Sequence, residues 1–448
     1  MAGIFRAHSL VSIKILLIAA VLMASALPGR AVTILRDPDI EHALRQLALP
    51  LINAAGLSTN IRVLVVRDPK LNAFVVDTKH IFIHSGLIQK VKTAEELQAV
   101  FAHELAHIAN GHLTRRLANR RAASGAARFG LLLALAVGAG TGNAEAAAGI
   151  ATGSASSASR VFLGHTRAEE SSADQAALRY MAQKGINPKA MADVLDYFRG
   201  QEVLNAARQD PYIRSHPLTR DRMRAVHGYA AAYKNAAKPN PEAQYWFARA
   251  KGKLSAFLNA PSFTLRKVKK KDGSDIAVMR RAIAYHRKPD TKRAIAEINK
   301  LAAMRPNDPY VHELRGQILL ESRNYAAAAQ AYQKAVSLAP RNALILAGHG
   351  RALVALNTRS SNAQALKVLV AARARDARDP RMMRDLATAY ARAGNNGMAS
   401  LITAERYAIT GNLKTAAVHA KRAAGLLPQG SAGWNRAQDV LGAAKRAG

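Results

Sequence analysis

The chain has 448 residues, enough for two or three domains, and no cysteine, which excludes disulfides and thiolate metal ligands. Hydrophobic residues make up 49% of it but aromatic ones only 5%, a balance that favours small-residue helix packing over sheet. The formal net charge of +35 reads first as a solvated Arg/Lys surface. Attraction to an anionic membrane is a sharper alternative, and nucleic acid has no zinc-finger or RNA-recognition pattern behind it.

Residues 1–31 read as a secretory signal. Arg6, His8 and Lys14 give a basic start, and Ile15 to Leu27 is an apolar run of the right length. Cleavage fits after Ala31 or after Ala26, and an uncleaved anchor is the alternative. Either exports the remainder, with a periplasmic destination. With no cysteine nearby, a lipoprotein anchor is excluded.

Ile40 to Leu57 has helical periodicity, with Ile40, Leu44, Leu47, Leu51 and Ile52 on one face. Ile61–Val66, Asn72–Val76 and His80–His84 read as strands, the last ending at Ser85-Gly86. His80 and His84 are expected to face solvent. Thr93 and Glu96 have capping-box spacing, so a helix starts there and runs to Asn110-Gly111. It carries His103, Glu104 and His107 in the pattern H-E-x-x-H. Positions i and i+4 share a helix face, so the two imidazoles can hold one zinc ion, with Glu104 placed as general base. Three fixed positions in five are a modest motif alone. His112 lies off the ligand face and reads as structural.

Phe129 to Ala158 is a Gly/Ala/Ser-rich apolar stretch, too short in its continuous part to span a bilayer. A packed or mobile hairpin is the favoured reading over a membrane contact. Arg167 to Gln183 is helical, and Glu170 and Asp174 share its face at i and i+4. Glu170 is the best third zinc ligand, with Asp174 behind it to accept the spare N–H of a ligand histidine. Glu169 is the neighbouring alternative, and a solvated acidic helix start is the bland one. Met191–Phe198 is a further helix, and Ser215-His216-Pro217-Leu218 is a loop leading into another.

Lys234–Asn240 is a polar boundary, giving domains at 32–235 and 236–448. Beyond it, Pro306 and Pro340 are 34 positions apart, the tetratricopeptide period. Gly316, Ala328, Tyr332 and Ala335 fall in register between them, and units before and after match in part. Residues 350–380 read as a degenerate unit with extra residues. Stacked helix pairs of this kind form an α-solenoid with a concave binding face.

Five elements now stand in order: Asn72-Ala73-Phe74, Ser85-Gly86-Leu87, the H-E-x-x-H helix, Glu-x-x-Ala-Asp from Glu170, and His216-Pro217-Leu218 with Arg222. Over roughly Asp37 to Tyr229 the chain resembles the zinc metallopeptidases that include HtpX and the CAAX prenyl endopeptidase. The signal and the trailing repeats favour their periplasmic β-barrel assembly-enhancing branch. The resemblance implies a mainly helical α+β zincin-type domain followed by the solenoid. It implies one Zn²⁺ on His103, His107 and Glu170, with Glu104 as general base. Asn72, Ala73 and Phe74 would pair with an extended substrate, and His216 and Arg222 would stabilise the oxyanion. His216 could instead occupy the open metal position and hold the enzyme off.

The expected function is endoproteolysis of misfolded or stalled envelope proteins, with the repeats docking substrates or outer-membrane assembly machinery. Peripheral membrane contact is a weaker expectation, and no nucleic acid is expected. The competing expectation is an envelope scaffold or chaperone whose metal site is vestigial or self-inhibited.

Overall fold

The computed structural model describes residues 33–115, 167–204 and 208–447. The expected signal segment and the Phe129–Ala158 stretch lie outside them.

The N-terminal part is a small sheet with helices on it. Its strands are β1 (Ile34–Leu35), β2 (Arg62–Val66), β3 (Ala73–Val75) and β4 (His80–His84). They lie in the order β1-β2-β4-β3. β2 and β4 are parallel, with Val63 opposite Ile81, and β3 pairs antiparallel with β4, with Phe74 opposite Phe82. β3 is therefore an edge strand. Helix α1 (Pro38–Ala54) starts where the Asp37 carboxylate accepts the backbone N–H groups of Asp39 and Ile40. The short helix α2 (Ser85–Lys90) continues directly from β4. Gly86 is required at that junction, because a Cβ there would collide with the Pro69 backbone carbonyl.

α3 (Ala94–Ala109) is capped by Thr93, whose hydroxyl accepts the Glu96 N–H. The Glu96 carboxylate reaches back to the Lys92 N–H, one residue beyond a strict capping box. Beyond Asn110, Gly111 turns the chain at φ +68°. α3 is buried all round from Glu96 to Ile108, so any polar side chain on it is forced into the interior. Helix α4 covers 167–183, followed by α5 (Lys189–Asp196), α6 (Pro211–Ser215) and α7 (Arg220–Ala232). Leu44, Leu47 and Leu51 of α1 share one core with Leu97, Val100 and Phe101 of α3 and with Leu178 and Met181 of α4.

The polar boundary leads into α8 (Pro241–Leu258), whose Phe247, Ala250 and Leu254 belong to that same N-terminal core. After α9 (Pro261–Lys267) the chain runs as helix pairs. They are α10 (Asp275–Arg287) with α11 (Thr291–Met304), α12 (Pro309–Glu321) with α13 (Tyr325–Leu338), and α14 (Ala343–Leu356) with α15 (Arg359–Arg375). They continue with α16 (Pro380–Arg392) and α17 (Asn396–Ile409), then α18 (Leu413–Leu426) and α19 (Ala432–Ala447). Gly316 is small because the Tyr332 ring would lie 2.6 Å from a Cβ there. The extra residues expected between 350 and 380 lengthen α15 to 17 residues.

A buried ion network joins the two parts through α8. Arg249 binds Asp39 at 2.7 Å and Asp308 at 2.6 Å. Lys253 binds Asp37 at 2.9 Å and also faces Glu313 at 3.8 Å. Among the described residues, no helix is long and apolar enough to cross a membrane.

Candidate metal centre

Three elements deliver the site. α3 presents His103, Glu104 and His107, α4 presents Glu170 and Asp174, and the turn after α6 presents His216. One ligand atom from each of His103, His107, Glu170 and His216 lies within 4.8 Å of the others. The Nε2 atoms of His103 and His107 are 3.1 Å apart. Glu170 Oε2 is 3.2 Å from His103 Nε2, and Oε1 is 3.3 Å from His107 Nε2. His216 Nδ1 is 3.1 Å from Glu170 and 3.3 Å from His103 Nε2. All four side chains are buried.

Burial disfavours protonated His103, but Asp174 and Glu170 override it and raise its pKa to about 9. His107 goes the other way: burial, with His103 and His216 beside it, outweighs Glu170 and keeps its imidazole neutral. Burial would raise Glu170, yet the neighbouring His216, Arg222 and ligand imidazoles hold its carboxyl well below the ordinary range. Imidazole nitrogens facing one another at hydrogen-bond distance, with a carboxylate at the same point, are the donor set of a divalent cation. The residues therefore fit a metal ion.

Glu104 is fully buried, and neither carboxylate oxygen has a hydrogen-bond partner among the described residues; His216 Nε2 approaches Oε1 at 3.4 Å. A buried carboxylate without donors is costly to keep. It borders a cavity of about 30 Å³, which also touches Phe74 and Val75 of β3, His107, His112 and His216. That volume has room for water. Glu104 and the sheet edge thus meet at one small space. Asn72 precedes β3 and is buried, its carbonyl accepting the His84 N–H. Ala73 and Phe74 lie within the edge strand.

Behind the donors, Asp174 Oδ1 lies 3.0 Å from His103 Nδ1. Arg222 is committed elsewhere than expected. Its Nε and Nη2 go to Asp174 at 2.5 and 2.9 Å, and its Nη1 lies 3.0 Å from Glu170 Oε2. That Nη1 also donates to the Pro217 carbonyl at 3.2 Å. Arg222 does not line the small cavity. Glu169 is buried but stands outside the donor cluster.

Two further histidines are buried. His112 is buried, with its Nδ1 2.9 Å from His107 Nδ1, so it contacts the far side of a ligand ring. His84, expected at the surface, is also buried, edge-on to Phe74 and 3.8 Å from Asp68. The Phe74 ring on the neighbouring strand and the Asp68 carboxylate flank its imidazole. Tyr212, tilted against His216 at 4.7 Å between ring centroids, carried no sequence signal of its own.

Residues 35–230 match the model of peptidase family M48, and residues 276–412 match a tetratricopeptide-repeat model. A putative beta-barrel assembly-enhancing protease of Vibrio cholerae is 30% identical over 223 residues, 49% of this chain and 44% of the relative. The beta-barrel assembly-enhancing protease of Escherichia coli (strain K12) is 22% identical over 191 residues, 42% and 39% of the two chains. The chain thus spans less than half the length of these curated relatives. Among solved structures, MamA from Desulfovibrio magneticus RS-1 is 18% identical, with a TM-score of 0.32 over 36% of this chain and 92% of its own. The chain carries a peptidase family M48 domain with tetratricopeptide repeats on its C-terminal side.

Proposed function

We propose that this chain is a zinc metalloendopeptidase of the cell envelope. It hydrolyses peptide bonds of misfolded or stalled envelope and outer-membrane proteins in the periplasm. The repeats dock substrates or assembly machinery. The observation that carries this reading is the convergence of His103, His107 and Glu170 beside a buried Glu104 carboxylate that accepts no hydrogen bond from the described residues. The envelope assignment draws on what the relatives are called.

A zinc ion on these donors supplies Lewis acidity, polarising the scissile carbonyl and acidifying water. The protein's own groups do the rest. The open edge of β3 pairs with an extended substrate through main-chain hydrogen bonds, which ignore side-chain sequence. Glu104 takes a proton from the attacking water on a carboxylate oxygen and returns it to the leaving amine nitrogen. Asp174 and His112 hold the Nδ1 sides of His103 and His107, so that both rings present Nε2. Arg222 is a positioning residue in this scheme rather than an oxyanion donor: it balances the charge of Asp174 and Glu170.

His216 is assigned the restraining role. Its Nδ1 stands with the other three donors, so His216 would fill the position that water or substrate needs on a bound ion. The ring must withdraw before substrate enters. The same observation favours a second reading, a repeat scaffold whose metal site stays shut.

Cleavage of casein by the full chain, with and without chelator, tests the proposal. Glu104→Gln is expected to keep its zinc and lose at least about a hundredfold in rate. His216→Ala is expected to gain activity. Undiminished cleavage by Glu104→Gln removes the base, and loss of activity in His216→Ala restores the oxyanion role. Absence of chelator-sensitive cleavage from both the wild type and His216→Ala leaves the scaffold.

A further inference from the structure

A cleft of about 440 Å³ lies between the N-terminal layer and the repeats. Its walls are the start of α1, the start of β2, the beginnings of α12 and α14, and the end of α15. Five arginines and two carboxylates line it. The carboxylates already have partners. Arg36 reaches Glu41 at 2.6 Å and Asp376 at 2.8 Å, and Arg62 reaches the same two at 3.0 and 3.2 Å. Among the described residues, that leaves Arg45, Arg341 and Arg375 without an acidic partner. Arg45 donates to the Thr59 carbonyl and Arg375 to that of Ala371, contacts that leave their charge uncancelled. The rest of the lining is largely apolar or aromatic, with Ile61, Val63, Leu344 and Tyr310, and includes the polar His42 and Asn342.

We propose that this cleft binds an acidic stretch of polypeptide, whose carboxylates are taken by Arg45, Arg341 and Arg375. The planar guanidinium fork matches a carboxylate in two parallel hydrogen bonds. A lining that combines cationic and apolar groups suits the methylenes and carboxylates of Asp and Glu side chains better than a bare inorganic anion. The volume is in the range that encloses several groups of a ligand rather than one ion. The cleft lies at the β1–β2 end of the sheet, while the metal centre adjoins the β3 edge. A segment held there leaves the small cavity beside Glu104 free. The site stands independently of the peptidase reading.

With a net charge of +35, the chain attracts any polyanion weakly, so the test must separate a site from a field. The probe is a fluorescein-labelled decapeptide with five aspartates, compared with its asparagine counterpart. Anisotropy is read on the full Glu104→Gln chain at physiological ionic strength, so that the probe cannot be cleaved. The acidic peptide is expected to bind at least about tenfold more tightly than the neutral one. Arg341→Glu with Arg375→Glu is expected to abolish that preference. The same charge change at Arg406 and Arg422, in a second arginine-lined groove within the repeats, is expected to leave it within twofold. Arg341 and Arg375 are exposed, so folding should tolerate the change. Should the double reversal unfold the chain, Arg341→Ala and Arg375→Ala singly are each expected to weaken binding severalfold. Equal affinity for both peptides, equal loss at the two grooves, or no loss in the single variants overturns the proposal. So does a single-stranded oligonucleotide that competes through Arg341 and Arg375 more strongly than the acidic peptide.

Discussion

In the N-terminal layer, His216 meets Glu170 across 46 positions and His103 across 113. In the repeats, Tyr332 packs onto Gly316 and Gly348, sixteen positions to either side. The first arrangement brings polar groups from distant segments to one buried point; the second repeats a local, apolar contact. The repeats can gain or lose one contact and remain helix pairs, because each pair is supported by its neighbours. The candidate metal centre has no such redundancy: its donors come from two helices and one loop that must all be in place. Between the two regions, α8 carries features of both. Its apolar face belongs to the N-terminal core, and its Arg249 and Lys253 reach into the repeats.

That contrast can be broken at three places. The largest effect is expected at Arg249→Ala, which leaves Asp39 buried without its guanidinium partner. Removing one member of a buried pair costs about 3–5 kcal/mol, so calorimetry should show both parts melting at lower temperature. Melting of the repeats alone would show that α8 does not couple them. A smaller effect is expected at Gly316→Ala, where the new methyl meets the Tyr332 ring. Overpacking of this kind costs about 1–3 kcal/mol and should leave zinc content unchanged.

The third effect is a pH dependence centred on Glu313. Burial, with Asp37 and Asp39 nearby and only partly offset by Lys253, raises its pKa from 4.5 to about 8. A carboxyl that holds its proton more tightly when folded contributes stability that is fully present below about pH 4.5. That contribution is lost as pH rises towards 8. The wild type should therefore lose more melting temperature between pH 5 and pH 8 than Glu313→Gln does. Identical slopes would remove Glu313 as the cause.

Periodicity and spacing carried the local elements: α1, the three longer strands, α3 with its Thr93 cap, and the 34-residue repeat around Tyr332. The pairing of His103 with His107 was legible because i and i+4 share a helix face. Glu170 and Asp174 were legible as an i, i+4 pair, but their distance from α3 was not. Arg222 reads in sequence as a cation near His216. Only the fold shows its guanidinium turned onto Asp174 and Glu170, away from the cavity. His112 was set aside because it cannot face the ion; it contacts the other nitrogen of His107 instead. His84 looked solvent-facing because its own strand says nothing of the Phe74 ring beside it on the neighbouring one. The cleft was invisible for a simpler reason: Arg36 and Asp376 are 340 positions apart.

The most direct test is zinc content per chain after exhaustive dialysis, wild type against Glu170→Gln. One zinc per wild-type chain and a much lower value for the variant are expected. Full retention by Glu170→Gln, with circular dichroism unchanged, would contradict the convergence of α3 and α4 on a single ion.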